Sequence, residues 1–230
     1  MAESRTYGAM KSLVHSLTLT VLALAGFAVV LASPATAQNP GPIRIVAFGD
    51  SLTAGYGLPA QDAFPARLER ALKAKGHNVE IENAGVSGDT ASGGLSRLDW
   101  SIQNGTDAVI VELGANDMLR GVEPKVTRQA LDDVLAKLKA RNIPVLLAGM
   151  RGAPNLGSDY VRDFEAIFPD LAQKHDVVFY PFFLDGVAAQ SKLALRDGMH
   201  PNADGVDTIV KGILPKAEEL VARVKKRAPG

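Results

Sequence analysis

Ile43-Arg44-Ile45-Val46-Ala47-Phe48 is a short, mostly apolar and β-branched run, and Gly49-Asp50-Ser51-Leu52-Thr53-Ala54-Gly55-Tyr56-Gly57 follows it without a break. An apolar run of this length, lacking strict alternation and bounded by turn residues, reads as a strand buried on both faces. A serine directly after such a strand is held on a rigid element, at the edge of the sheet where ligands bind.

Outward from this run the pattern alternates. Phe64, Leu68 and Leu72 recur at helical spacing with Arg67, Arg70 and Lys73 between them, and Gly76 ends that helix. Val79 and Ile81 open a second strand. Leu95, Leu98 and Ile102 mark a second helix that ends near Gly105, and Ala108 to Leu113 forms a third strand. Val126, Ala130, Val134 and Leu138 give a third helix opened by Pro124. Val145 to Ala148 is a fourth strand, Tyr160, Phe164, Phe168 and Leu171 a single fourth helix, and Val177 to Tyr180 a fifth strand. Val206, Ile209, Ile213, Leu220 and Val224 belong to a last helix kinked at Pro215. Strands alternating with helices imply parallel βαβ units, hence one three-layer α/β/α domain with a five-stranded parallel sheet.

The N-terminus stands outside this pattern. Arg5 and Lys11 precede an uncharged stretch from Ser16 to Ala32, and Ala35-Thr36-Ala37 follows. A basic segment, an apolar segment and an A-x-A site make a cleavable signal peptide over residues 1–37, with Met10 as an alternative start. The competing reading is a retained membrane helix, but the stretch is short for a span and Gly26 interrupts it. The expectation is an exported protein, periplasmic or secreted, with no stable membrane span after cleavage and its folded domain in residues 38–230.

Composition narrows the function. The 230 residues contain no cysteine, which excludes disulfides, thiolate metal sites and a cysteine nucleophile. Lys+Arg 25 balances Asp+Glu 25, which argues against nucleic acid or an anionic membrane as a broad electrostatic partner. Function must therefore lie in a local site, and in open α/β sheets that site lies beyond the carboxyl ends of the strands.

Each strand-end loop is ambiguous by itself. Ser51 is a candidate nucleophile if a base adjoins it, yet serine is also an ordinary helix cap. Gly55-Tyr56-Gly57-Leu58-Pro59-Ala60 has the form of a dinucleotide fingerprint, but it starts too far from the strand and contains proline. In Asn83-Ala84-Gly85-Val86-Ser87-Gly88-Asp89-Thr90, a glycine N–H can approach a developing oxyanion, or the loop is a plain turn capped by Asp89 or Thr90. In Gly114-Ala115-Asn116-Asp117, Asn116 is a neutral donor suited to the same task, or a turn residue. The loop Arg151 to Gly157 is a connection able to line an acyl or alcohol pocket. Asp197-Gly198-Met199-His200-Pro201 places a carboxylate three residues before a histidine, so one loop delivers a base and its orienting partner. Of the other histidines, His15 falls in the leader, and His77 and His175 sit at helix ends with a solvated or capping role.

Taken together and in order, GDSL, SGD, GAND and DGMHP resemble the SGNH-hydrolase (GDSL-esterase) superfamily. Within it, GDSLTAGYG, NAGVSGDT, ELGANDMLRG and DGMHPNADG are most similar to the secreted bacterial branch of multifunctional thioesterase, lysophospholipase and arylesterase enzymes. The resemblance runs from about Ile43 to Val224. It implies a flavodoxin-like sandwich with residues 38–230 as the catalytic domain. It further implies Ser51 as nucleophile, His200 as general base and acid, and Asp197 as the orienter of His200. The oxyanion hole would be the Ser51 and Gly88 backbone N–H groups with the Asn116 side chain, and Asp50 would organise the nucleophile loop. Neither metal nor organic cofactor is called for, and the expected partner is a small-molecule ester or thioester.

Two other functions use the same residues differently. One is deacetylation of sugar or cell-wall esters, because fold and triad do not choose a substrate. The other is an α/β binding module with an unreactive serine, capturing a nucleotide or a solute.

Overall fold

The computed structural model describes residues 41–227; the leader over residues 1–37 and its cleavage site lie outside the described residues. Five parallel strands form the sheet: β1 (Ile43–Gly49), β2 (Val79–Gly85), β3 (Ala108–Glu112), β4 (Val145–Ala148) and β5 (Val178–Tyr180). Their spatial order is β2-β1-β3-β4-β5. The apolar character of β1, β3 and β4 follows from this order, since each has a strand on either side and helices above and below.

The helices are α1 (Ser51–Ala54), α2 (Phe64–Ala74), α3 (Ala91–Ser101), α4 (Ala115–Leu119), α5 (Pro124–Ala140), α6 (Ser158–Glu165), α7 (Ile167–His175) and α8 (Ala203–Arg227). α2 packs against α8 as one outer layer, and α3, α5 and α7 pack in series as the other. The chain passes from β1 outward to β2, then returns past β1 to β3. Right-handed crossovers then require α2 and α3 to lie on opposite faces. The reversal leaves a crevice between the carboxyl ends of β1 and β3, the topological switch point of a doubly wound sheet.

Phe48, Phe64, Phe164, Phe168 and Phe183 are the largest buried side chains, and Phe164 and Phe168 meet edge-on with ring centroids 5.5 Å apart. Close approach of α3 to the sheet depends on Gly94, where a Cβ would stand 2.5 Å from Leu113 Cδ1 and 3.3 Å from Phe48.

Several elements differ from the sequence expectation. The helix expected through Tyr160 and Leu171 is two helices that meet at Ala166. Pro169 is the cause: it has no N–H for the Glu165 carbonyl, and its ring would collide with that carbonyl in a continuous helix. Pro215, by contrast, lies inside α8, which runs through it. Val126 is exposed rather than core; the buried stripe of α5 begins at Thr127 and continues through Ala130, Leu131, Val134, Leu135 and Leu138. β2 extends to Gly85, so Asn83 is a strand residue, and the Gly114 loop is followed at once by the short helix α4. His175 is buried at the end of α7, with Nε2 2.5 Å from Asp132 Oδ1, and ties α7 to α5. His77 Nε2 stands 3.2 Å from Glu218 of α8.

Leu147 is fully buried in β4. Leu147→Ala is expected to lower the unfolding free energy by about 2–5 kcal/mol in urea titration, because the sheet cannot collapse onto the lost side chain.

Candidate active site

Ser51 is the first residue of α1, immediately beyond β1, and Asp50 is the cap. The Asp50 side chain accepts the Leu52 N–H at 2.9 Å, so aspartate does the capping and leaves the serine hydroxyl free. Two glycines permit the turn. A Cβ on Gly49 would stand 2.6 Å from the Glu112 carbonyl oxygen, and one on Gly85 would stand 2.3 Å from Ala54 N.

His200 arrives from the loop before α8. Its Nε2 stands 3.0 Å from Ser51 Oγ and its Nδ1 2.7 Å from Asp197 Oδ2. The other Asp197 oxygen accepts the Met199 and His200 backbone N–H groups at 2.9 and 3.0 Å. These two N–H groups, and then the imidazole itself, bring the Asp197 carboxyl down to about 2. The turn needs Gly198, at φ 71°. Tyr56 lies over the His200 ring with centroids 4.4 Å apart. The array can carry a proton between Ser51 Oγ and Nε2 while Asp197 holds the tautomer at Nδ1.

Asn116 stands on α4, at the carboxyl end of β3, and its Nδ2 donates to Asp50 Oδ2 at 3.0 Å. That bond joins the two strand ends across the switch point. Gly88 lies in the turn after β2 at φ 88°, and its carbonyl accepts from the Arg120 guanidinium at 2.7 Å. Among the described residues, no protein acceptor takes the N–H of Ser51 or of Gly88, so both are available to a ligand oxygen. All five expected residues are thus at the carboxyl edge of the sheet. The Arg151 to Gly157 loop forms a helical turn at Pro154–Leu156, and Arg151 stacks on Phe182.

Three further residues, which the strand-end motifs do not single out, support the site. Glu112, the last residue of β3, is fully buried; its Oε2 accepts from Thr53 Oγ1 at 2.7 Å and its Oε1 has no protein partner. Burial, with Asp50 close by, raises its pKa well above the usual carboxylate value. A charged residue inside the apolar run Ala108 to Leu113 was a legible sign of a special role. Asp117 is also fully buried, accepting the Ala91 N–H at 2.8 Å and the Thr127 hydroxyl at 2.9 Å, so it anchors α4 to α3 and α5. Arg97 bonds to both the β1 and the Gly88 loops, and nothing in its sequence setting distinguishes it from a solvated helix arginine.

Asp50 is raised to about 6, chiefly by burial, against the opposing hydrogen bonds from Leu52 and Asn116. Asp50 and Glu112 share one buried space, and burial with their mutual repulsion favours the protonated form of Glu112. Among the described residues, no group of three or more His, Asp or Glu side chains is arranged to hold a metal ion. A groove of about 350 Å³, lined in part by Asn83, Gly85, Val86, Arg97 and Trp100, adjoins the Gly88 loop. Tyr56, Val86, Leu119 and Met199, all near the site residues in sequence, are exposed.

Comparison with known proteins shows the family. The profile of the GDSL-like lipase/acylhydrolase family matches residues 47–207. An arylesterase of Vibrio mimicus is 36% identical over 187 residues, which span 81% of this chain and 92% of that protein. The thioesterase 1/protease 1/lysophospholipase L1 of Escherichia coli K12 is 39% identical over 178 residues, spanning 77% of this chain and 84% of that protein. The crystal structure of AlinE4, described as an SGNH-hydrolase family esterase, superposes with a TM-score of 0.66 at 45% identity, covering 82% of this chain and 98% of that one.

A buried acid that holds its proton more tightly in the folded than in the unfolded chain makes stability fall as pH rises through and beyond the ordinary carboxylate range. Glu112→Gln keeps an acceptor for Thr53 without the titratable proton. Its melting temperature, relative to the parent protein, is expected to be higher at pH 8 than at pH 5. An offset independent of pH would show that Glu112 titrates normally.

Proposed function

Because the chain belongs to the GDSL-like lipase/acylhydrolase family and is an esterase of the GDSL type, we propose that it cleaves esters or thioesters of lipid-like or aryl substrates through Ser51, His200 and Asp197. The observation that carries this reading is the unbroken contact from Asp197 through His200 to Ser51 Oγ. The names of relatives, arylesterase and thioesterase/lysophospholipase, support the substrate range.

In this mechanism Ser51 Oγ attacks the acyl carbonyl carbon while His200 Nε2 takes its proton. The carbonyl oxygen becomes an oxyanion, met by the Ser51 and Gly88 N–H groups and by Asn116 Nδ2. Asn116 has two amide protons; the Asp50 carboxylate engages one, which orients the other toward the oxyanion. Collapse expels the alcohol or thiol, which leaves with the proton from His200 and forms the acyl-enzyme. Water, deprotonated by His200, then attacks the acyl carbon, and Ser51 Oγ departs with that proton. Asp197 accepts the Nδ1 proton's hydrogen bond throughout and stabilises the imidazolium. The apolar leader, with its A-x-A site, supports an exported protein acting in the periplasm. Among the described residues, no helix is long and apolar enough to cross a membrane.

Ser51→Ala is expected to abolish hydrolysis of p-nitrophenyl esters and labelling by a fluorophosphonate while the melting temperature is kept; near-parental turnover would remove Ser51 from the mechanism. Asn116→Ala is expected to lower kcat by about 10²–10³ with little change in KM, as loss of one oxyanion donor does. In a p-nitrophenyl ester series, octanoate and longer chains are expected to outperform acetate. A strong acetate preference would favour sugar-ester deacetylation at the same residues.

A further inference from the structure

The oxyanion site just described takes its donors from separate loops, and nothing in the catalytic array itself holds the β1 loop against the β2 loop. We infer that Arg97 is a positioning residue that sets the spacing of the Ser51 and Gly88 N–H donors by binding both loops at once; this rests on the esterase reading above.

The guanidinium is placed for this. Its Nη2 donates to the Gly49 carbonyl at 2.9 Å, two residues before Ser51. Its Nε donates to Asp89 Oδ2 at 2.5 Å, next to Gly88. Its Nη1 donates to the Ala84 carbonyl at 2.9 Å, near the end of β2, and to Ser101 Oγ at 3.0 Å. One planar group therefore addresses the ends of two strands and the glycine loop. The Arg97 Cζ lies 4.2 Å from the centroid of the buried Phe48 ring, which fixes the plane of the fork. Only 15% of the side chain is exposed, so the bonds are shielded from competing water.

The surrounding sequence is shaped to the same end. Gly94, one helical turn before Arg97, lets α3 lie against Phe48 and Leu113. Gly93 leaves room for Asp89, since a Cβ there would stand 2.9 Å from Asp89 Oδ1. Thr90 caps α3 by accepting the Gly93 N–H at 3.1 Å, which starts the helix directly after the Gly88 loop. The Gly49 carbonyl also accepts the Val86 N–H at 3.0 Å, so Arg97 reinforces a junction the backbone already makes. Lysine cannot replace the group: a single ammonium has no planar fork and cannot reach acceptors on both loops together.

The test is steady-state kinetics of the full chain with p-nitrophenyl butyrate on Arg97→Lys, Arg97→Ala and Asp89→Asn, each shown to be folded by its melting transition. Arg97→Lys is expected to lower kcat by about 10- to 100-fold, the scale of an ångström-sized misplacement in an active site, with KM nearly unchanged. Affinity for an alkyl trifluoromethyl ketone, which adds Ser51 Oγ and forms an oxyanion, is expected to fall in parallel with kcat. Added guanidinium ion is expected to restore part of the turnover of Arg97→Ala and none of that of Asn116→Ala. Asp89→Asn, which weakens one arm only, is expected to show a smaller fall in kcat and stands as the test if the Arg97 variants do not fold. Folded variants with parental kcat and ketone affinity, or a loss confined to KM, would overturn the inference. Turnover surviving in Ser51→Ala would instead overturn the esterase mechanism itself, whatever Arg97 does.

Discussion

The buried carboxylate of Asp50 is the interaction on which the site depends. It caps α1 through the Leu52 N–H, and so sets the turn that presents Ser51. Its second oxygen accepts from Asn116, which stands at the end of a different strand. A carboxylate has acceptor capacity on both oxygens and no proton to misplace, so it can satisfy two donors whose positions must agree. Keeping that charge away from water is costly, which is why its pKa rises to about 6. Burial and the nearby Asp50 charge push the neighbouring Glu112 well above the usual carboxylate value, which favours its protonated form and eases the repulsion between the two.

From this centre the site is built on short, stiff supports. β1 and β3 are hydrogen-bonded neighbours, so Ser51 and Asn116 start from adjacent strand ends. Asp117 secures the short helix that bears Asn116, and its two bonds reach α3 and α5, the helices on either side. His200 is different. It comes from a loop on the far side of the sequence, and its orientation depends on Asp197, Gly198 and the Tyr56 ring. Under the proposed mechanism, rigid placement of Ser51 and the donor groups, with His200 carried on a loop, suits a reaction in which the base moves a proton in both directions.

Much of the architecture was legible because it follows from period and punctuation. The five strands, the succession of helices and the edge at which loops gather follow from apolar runs and from the rule that parallel strands need crossover helices. Ser51, Gly88, Asn116, Asp197 and His200 can be picked out together from four motifs in order, and folding brings them to one edge of the sheet; their roles are those proposed above. The misread elements have local causes. Pro169 breaks a helix whose apolar spacing looks continuous, since periodicity registers side chains and not the missing N–H. Val126 fits the apolar stripe of α5 by type, yet Thr127 takes the buried position because its hydroxyl is needed by Asp117.

Chain order alone therefore specified the βαβ succession, the loops that carry chemistry and the residue types those loops present, since all three are encoded by neighbours along the chain. Which carboxyl groups are buried, which arginine binds both loops and which histidine is buried were decided only by folding. Arg97 lies 48 positions from Gly49, and Thr53 lies 59 positions from Glu112. Such contacts have no local signature, because charge state and hydrogen-bond partnership depend on burial and distance, and those quantities exist only once the sheet has closed its layers.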